Sequence, residues 1–258
     1  MAAAAVVPGR RTDRRATYAD RMIERLYFRQ LLSGRDLATE DMVARQMVNF
    51  IYLIGDRETG EAVVIDPAYD ITTILDTLEA DDMRLTGVLA THYHADHIGG
   101  SMMGFDVRGI SELLEYTSVP IHLQRDEVEY VVKTTGVSRT ELALHDSGDI
   151  VQVGGLDIEL IHTPGHTPGS QCFLVANRLV SGDTLFLDGC GRTDLPGSDP
   201  SAMYDSLTQK LAKVPDKTLL YPGHFYSPQP YGTLGETRRE NYVFTPKTEE
   251  QWLAMFGR

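Results

Sequence analysis

Histidine and aspartate side chains gather in one short stretch of this chain. Residues 91–97 read THYHADH, which places three histidines and one aspartate within six positions. Side chains two apart in an extended segment point the same way, so His92 and His94 can converge on one metal ion. After a turn, Asp96 and His97 can face a second ion. Imidazole and carboxylate donors in this number suit one or two borderline or hard divalent metals.

Three further donors follow, each where an apolar run gives way to small or turn-forming residues. They are His166 in the segment HTPGHTPG, Asp183 in SGDT and His224 in YPGH. Functional side chains are common on such loops at strand ends. Asp183 could bridge two ions through its two oxygens, and His224 could complete the second. The other histidines lack partners nearby in sequence and are interpreted as structural: His122, His145 and His162.

Composition narrows the classes of protein that need to be considered. The chain has 258 residues, a formal net charge of −13 and two cysteines. A dispersed acidic balance argues against a nucleic-acid partner, and no apolar stretch approaches the roughly 18 residues of a membrane span. Two cysteines make no disulfide framework, so a cytoplasmic location is expected. A small-molecule substrate is expected, and a homodimer is left open.

The pattern along the chain predicts one compact α/β domain over residues 18–258. Residues 1–17 are predicted to be a disordered tail, with a targeting segment as the alternative. Apolar runs predict strands at 48–54, 62–65, 85–90, 119–122, 150–153, 156–161, 172–176, 179–181 and, as the last strand, 218–221. Helical spacing predicts helices at 71–79, 112–114, 126–133, from Asp199-Pro200 onward, and over 235–256.

The His-x-His-x-Asp-His motif, together with the later donors, resembles the metallo-β-lactamase-fold superfamily over about residues 28–241. This resemblance implies a four-layer αββα sandwich with metals at the edge between its two sheets. It also implies a division of the donors between two metals. His92, His94 and His166 would hold the first metal, Asp96, His97 and His224 the second, and Asp183 would bridge them.

Two branches of that superfamily remain close. Class B β-lactamases usually lack the histidine at position 97, and flavo-diiron proteins replace the second histidine with glutamate. Nuclease branches carry extra domains. Residues 28–31, 52–57 and 189–194 resemble persulfide dioxygenases. Gly99-Gly100 and residues 195–197 resemble glyoxalase-II-like hydrolases, and the segment between His97 and His166 is longer than persulfide dioxygenases usually have. Phe225 departs from the aspartate usual after the last histidine, and the helical glutathione-binding domain of long glyoxalase II enzymes is not expected in residues 225–258.

The two resemblances imply different chemistry. A hydrolase would use two divalent ions, zinc or iron or a mixture, to turn a shared water into hydroxide near pH 7. This hydroxide would cleave a thioester of glutathione or a similar thiol, with Asp96 or Asp183 orienting it. A dioxygenase would hold one Fe(II) at His92, His166 and Asp183 and act on glutathione persulfide. We favour the hydrolase. A metal-binding protein without turnover is the remaining alternative.

Two residues are candidates for substrate contact. Arg192 has a planar guanidinium suited to gripping a carboxylate, the alternative being an ion pair with Asp194 or Asp188. Tyr226 could donate a hydrogen bond to a developing anion, the alternative being packing in the core. Cys190 is interpreted as a small buried residue.

Overall fold

The structure, a computed structural model, describes residues 18–257. Its first sheet has the strand order β1 (Leu26–Leu32), β2 (Phe50–Asp56), β3 (Glu61–Ile65), β4 (Arg84–Leu89), β7 (Ile121–Gln124) and β8 (Leu142–His145). Its second sheet has the order β14 (Gly232–Thr233), β13 (Leu219–Pro222), β12 (Arg178–Gly182), β11 (Gln171–Val175), β10 (Leu156–His162) and β9 (Ile150–Val153). A separate hairpin pairs β5 (Gly100–Met102) with β6 (Phe105–Val107).

The helices are short. They are α1 (Tyr18–Arg25), α2 (Met42–Met47), α3 (Ile71–Ala80), α4 (Ala95–Ile98), α5 (Ile110–Tyr116), α6 (Val128–Thr135), α7 (Pro200–Asp205), α8 (Leu234–Glu240) and α9 (Glu249–Phe256). Helix α7 begins as the sequence predicted, because the Asp199 side chain accepts from the Ala202 amide and Pro200 occupies the first turn. None of the helices within residues 18–257 is long and apolar enough to cross a bilayer.

Three apolar layers define the architecture. The first lies between the first sheet and helices α3, α5 and α6, the second between the two sheets, and the third between the second sheet and helices α7 and α9. Strand β2 contributes side chains to two of these layers, because alternate side chains of a strand point to opposite faces of the sheet. Ile51 and Leu53 pack toward the helices, whereas Phe50, Tyr52 and Ile54 pack toward the second sheet. The predicted four-layer αββα sandwich is confirmed.

Several element boundaries differ from the prediction. Strands β1 and β8 were not predicted, because their apolar residues alternate with polar ones only weakly. The predicted last strand ends at Pro222, and the short β14 follows it. The tail over residues 235–256, which was expected to be helical, forms two helices, α8 and α9, with Pro246 between them. Proline removes a backbone donor and blocks a continuous helix. The predicted tail at residues 1–17 lies outside the described residues.

Candidate metal centre

The seven predicted donors meet at one end of the sandwich, where loops leave both sheets. His92 and His94 follow β4, while Asp96 and His97 lie in α4. The second sheet contributes the other three, from the β10–β11 loop and the ends of β12 and β13: His166, Asp183 and His224. Strands β12 and β13 run parallel, so their carboxyl ends lie side by side. The sequence motif and these distant loops therefore converge through the topology of the sheets.

The first donor group is His92, His94 and His166. His94 Nδ1 lies 3.0 Å from His92 Nε2 and 3.0 Å from His166 Nε2. These ring nitrogens surround one point, as three ligands of a single ion do.

The second donor group is Asp96, His97 and His224. The Nε2 atoms of His97 and His224 are 3.2 Å apart, and Asp96 Oδ2 lies 3.6 Å from the former and 3.5 Å from the latter. The structure thus brings together both sets of three donors that the sequence resemblance implied, and a third set, His92, His97 and Asp183, connects them.

Asp183 lies between the two groups. Its Oδ2 is 3.6 Å from His166 Nε2 and 3.4 Å from His224 Nε2, while its Oδ1 is 3.4 Å from His97 Nε2. Oδ1 is buried and finds no hydrogen-bond donor among the described residues. A buried, uncompensated carboxylate oxygen is costly. A cation bound between Asp183 and these imidazoles would compensate the charge of Oδ1. The donor set therefore fits divalent metal ions.

The electrostatics of the two groups differ. Burial, together with the neighbouring histidines, holds the pKa of His92 well below its usual value and lowers that of His94 to about 4, so both prefer to be neutral. Burial also disfavours charged His97, but the carboxylates of Asp183 and Asp96 outweigh it and raise the pKa of His97 to about 10. The second group therefore attracts positive charge, and a metal ion can replace the proton that occupies it otherwise.

Outer contacts orient the histidine rings. His97 Nδ1 lies 2.9 Å from an Asp66 carboxylate oxygen. His166 Nδ1 lies 2.8 Å from the Arg192 carbonyl oxygen, and His224 Nδ1 lies 2.8 Å from the Met47 carbonyl oxygen. Each Nε2 atom therefore faces the centre as an acceptor. Asp66 also accepts from Thr91, whose hydroxyl lies 2.9 Å from His92 Nδ1. Sequence reasoning missed Asp66, whose only local signal is its place directly after β3.

Asn49 is a second residue that sequence reasoning missed. Its side-chain amide donates to Asp96 Oδ2 at 3.0 Å and lies 3.3 Å from His97 Nε2. The Tyr69 hydroxyl donates to its carbonyl oxygen at 2.9 Å, which fixes the orientation of the amide. Asn49 and His224 form an isolated antiparallel β-bridge. Beside it, the Phe50 amide donates to the Gly223 carbonyl oxygen, and the Phe225 amide donates to the Val48 carbonyl oxygen. The start of β2 is thereby tied to the second donor group.

We expect Asn49→Ala to weaken metal binding at the second group about 10- to 100-fold, because an outer hydrogen bond that orients Asp96 is lost. Binding at the first group should be retained. Zinc titration against a competing chelator measures both affinities. Asn177→Ala, in the turn between β11 and β12, is the control. Two unchanged affinities in Asn49→Ala would contradict the assignment.

Glu127 joins the two loops that carry the first donor group. It is 1% exposed, and it accepts from the Tyr93 amide at 2.7 Å, the Thr167 hydroxyl at 2.7 Å and the Gly169 amide at 2.6 Å. Tyr93 lies between His92 and His94, and Thr167 follows His166. Burial raises the pKa of Glu127 to about 7, although the Thr167, Tyr93 and Gly169 donors oppose that shift.

This shift predicts a pH dependence of stability. An acid whose pKa is raised from 4.5 to about 7 on folding stabilises the fold when protonated, and that contribution is lost as pH rises through this window. Glu127→Gln removes the titration. The unfolding free energy of the wild type minus that of Glu127→Gln should therefore fall by about 2 kcal/mol between about pH 5.5 and 7.5. Urea unfolding of the metal-free proteins measures it. In the control Glu129→Gln, at an exposed neighbouring position, the difference from the wild type should not change with pH. If the wild type and Glu127→Gln differ by the same unfolding free energy at both pH values, the prediction is wrong.

An open cavity of about 570 Å³ leads to the donors. Tyr226 lines it and stacks on His224, with ring centroids 4.6 Å apart; at 53% exposure it does not pack in the core. Arg192 also lines it, in a bidentate ion pair with Asp194 at 2.8 Å, one of the two arrangements the sequence allowed. Burial raises the pKa of the Cys190 thiol to about 12, which keeps it protonated.

The three remaining histidines lie outside the donor groups. His122 Nδ1 and His145 Nε2 are 2.8 Å apart on neighbouring strands, and His162 Nε2 lies 2.8 Å from the Pro168 carbonyl oxygen. Within residues 18–257 they join no three-ligand group.

Known proteins resemble this chain in sequence. It is 31% identical to the probable polyketide biosynthesis zinc-dependent hydrolase BaeB of Bacillus velezensis, over 80% of this chain and 85% of that protein. It is 32% identical to the human mitochondrial persulfide dioxygenase ETHE1, over 86% and 84%. It is 37% identical to the hydroxyacylglutathione hydrolase of Nitrosococcus oceani, over 69% of this chain and 62% of that enzyme.

The fold agrees with these relatives. The crystal structure of ETHE1 from Myxococcus xanthus superposes with a TM-score of 0.72, at 33% identity and over 90% of each chain. The family model of the metallo-beta-lactamase superfamily matches residues 45–224, a range that contains all seven donors. On this evidence the chain belongs to the metallo-β-lactamase superfamily.

Proposed function

We propose that this protein is a metal-dependent hydrolase that cleaves a thioester of glutathione or a similar low-molecular-weight thiol, with two divalent metal ions bound. The observation that carries the proposal is the second donor group. The one-iron arrangement of persulfide dioxygenases uses the positions of His92, His166 and Asp183. Here Asp96, His97 and His224 also converge, and their orientation is maintained by Asp66, Asn49 and the Met47 carbonyl.

The site residues have separable roles in such a reaction. Two bound cations would supply a water of lowered pKa and positive charge near the developing oxyanion. Asp183, between the groups, and Asp96 can accept a hydrogen bond from the attacking water and orient it toward the thioester carbonyl. Burial and then Asp183 and Asp96 raise the pKa of Tyr226, so its phenol stays protonated and can donate to the anion that develops.

Metal analysis combined with two assays tests the proposal. The protein is purified with and without air, and zinc and iron per chain are measured. We expect two metal ions per chain and thiol release from thioesters, without O2 uptake when glutathione persulfide is added. One iron per chain with O2 uptake would instead establish a dioxygenase. Bound metal with neither activity would establish a non-catalytic metal-binding protein.

Persulfide dioxygenase is the second candidate, because the relatives include ETHE1 over most of both chains. In this alternative one Fe(II) is held by His92, His166 and Asp183. The second donor group would then act only through hydrogen bonds. Without a second ion, a proton on His97 would have to balance the negative charge of the buried carboxylate in that group. The raised pKa of His97 permits this proton.

A further inference from the structure

The walls of the cavity above the donors are mostly apolar. Six side chains from four parts of the chain form what we call the apolar wall: Met47, Met102, Met103, Phe186, Leu195 and Tyr226. Two of these residues lie against the second donor group. Tyr226 stacks on His224, and the Phe186 ring centroid is 6.0 Å from that of His224. Whatever is bonded directly to a reacting carbonyl above the donors therefore meets apolar surface.

Away from the metal donors, the charges along the apolar wall do not suit an anionic acyl group. Among the lining residues that the structure describes, Arg192 is the only lysine or arginine, and its Nε and Nη2 atoms already donate to the two carboxylate oxygens of Asp194. Asp188 adds a carboxylate to the lining. A carboxylate on the acyl group would lie near this negative charge, and the Arg192 guanidinium is already paired with Asp194. Removing that carboxylate from water would therefore be costly.

The hairpin of β5 and β6 presents two of the methionines. It begins directly after α4, so its position is coupled to that of Asp96 and His97. Its turn is Met103-Gly104, and both residues have positive φ, 52° and 85°. Such two-residue turns favour Asn, Asp or Gly, so a methionine there is conformationally costly. Met103 is nonetheless 88% exposed at the edge of the cavity. Unbranched methionine adapts to apolar ligands of varied shape.

From the position of this wall and the charge of the lining, we infer that the site selects thioesters whose acyl group is an uncharged, apolar chain of several carbons, seated against the apolar wall. The inference rests on the proposed hydrolase function. The acyl chain and the thiol sulfur are both bonded to the reacting carbon. We assign the apolar chain to the acyl side because the thiol of the proposed function, glutathione or a similar one, is polar and would not cover Phe186 and Tyr226. A small polar acyl group such as lactoyl would leave the wall uncovered.

A substrate series on the metal-loaded protein tests the inference. Acetyl, butanoyl and hexanoyl thioesters of the uncharged thiol N-acetylcysteamine are compared with D-lactoylglutathione by thiol release. Each buried methylene contributes about 0.8 kcal/mol, or about 4-fold. We expect kcat/KM to rise on the order of 100-fold from acetyl to hexanoyl, and D-lactoylglutathione to fall below the hexanoyl ester.

A matched pair of variants tests the wall itself. Met103→Ser should lower the hexanoyl-to-acetyl ratio of kcat/KM about 5-fold, because apolar surface is lost where the chain would lie. Met255→Ser removes a methionine of comparable character, 55% exposed on α9 and outside the lining, and should leave the ratio unchanged. Circular dichroism establishes that both variants are folded.

The outcomes separate the two proposals. A flat response to acyl length, or a preference for D-lactoylglutathione, would overturn the apolar-acyl inference and leave the hydrolase proposal standing. A rise with the length of an alkyl thiol instead of the acyl chain would also overturn it. Equal ratios in Met103→Ser and Met255→Ser would refute the role of the wall. Release of thiol from none of the thioesters would refute the hydrolase proposal itself.

Discussion

Asp183→Ala is expected to abolish metal binding and activity together, with a loss of at least about 1,000-fold in kcat/KM. Its carboxylate lies 3.4 to 3.6 Å from ring nitrogens of both donor groups, so its removal affects both ions at once. His92→Ala should behave alike, because His92 belongs to the first donor group and also to the set of three donors that it forms with His97 and Asp183. Metal per chain and thiol release from a thioester are measured on the same preparations.

A histidine outside the donor groups provides the control for this result. His145→Gln changes a ring on β8 that contacts His122 and Asp149, and metal content and activity should be retained. Full metal retention in both Asp183→Ala and His92→Ala would mean that the converging side chains are not ligands. Loss of folding is checked by circular dichroism, since the wild-type groups are buried.

Variants of the second donor group are expected to give the other large change in metal content and activity. Asp96→Ala, His97→Ala and His224→Ala are each expected to remove about one metal equivalent per chain and most of the activity, since each deletes one donor of a three-donor group. The first group, with His94 Nδ1 3.0 Å from its two partners, should keep its ion. Zinc and iron per chain in the three variants are the measurement.

This set of variants also distinguishes the two candidate activities. If a single iron performs the chemistry at His92, His166 and Asp183, the same three changes should leave iron bound, because the altered side chains would then act only through hydrogen bonds. Retention of one iron per chain in all three variants, with O2 uptake still measurable, would contradict the two-metal proposal. The first and second experiments thus address different parts of the centre.

The contacts around the centre follow a common electrostatic pattern. Three carboxylates, Asp66, Asp96 and Asp183, surround His97 and hold a positive charge there. His92 and His94 remain neutral through burial. Neutral imidazoles and ionised carboxylates are the forms that bind metal, so the fold prepares His92 and His94 for an ion, whereas His97 must release a proton when an ion binds.

The sequence by itself determined the donors. Three histidines and an aspartate within six residues, and later donors beside small residues, indicated a metal centre, and the resemblance they carry predicted the layered fold. These signals are local, because the first four donors share one loop and a short helix. Apolar runs likewise predicted most core strands, since β2 and β3 are buried on both faces and therefore form near-continuous apolar segments in the sequence.

The tertiary structure alone decided what surrounds those donors. Asp66 reaches His97 across 31 residues of sequence, Asn49 reaches Asp96 across 47, and Glu127 reaches Gly169 across 42. Arg192 likewise had two open possibilities, and the fold places it with Asp194. The apolar wall joins residues as far apart in sequence as Met47 and Tyr226. Spacing predicts neighbours only within one helix or strand, whereas these contacts depend on which strands pair and where their ends meet.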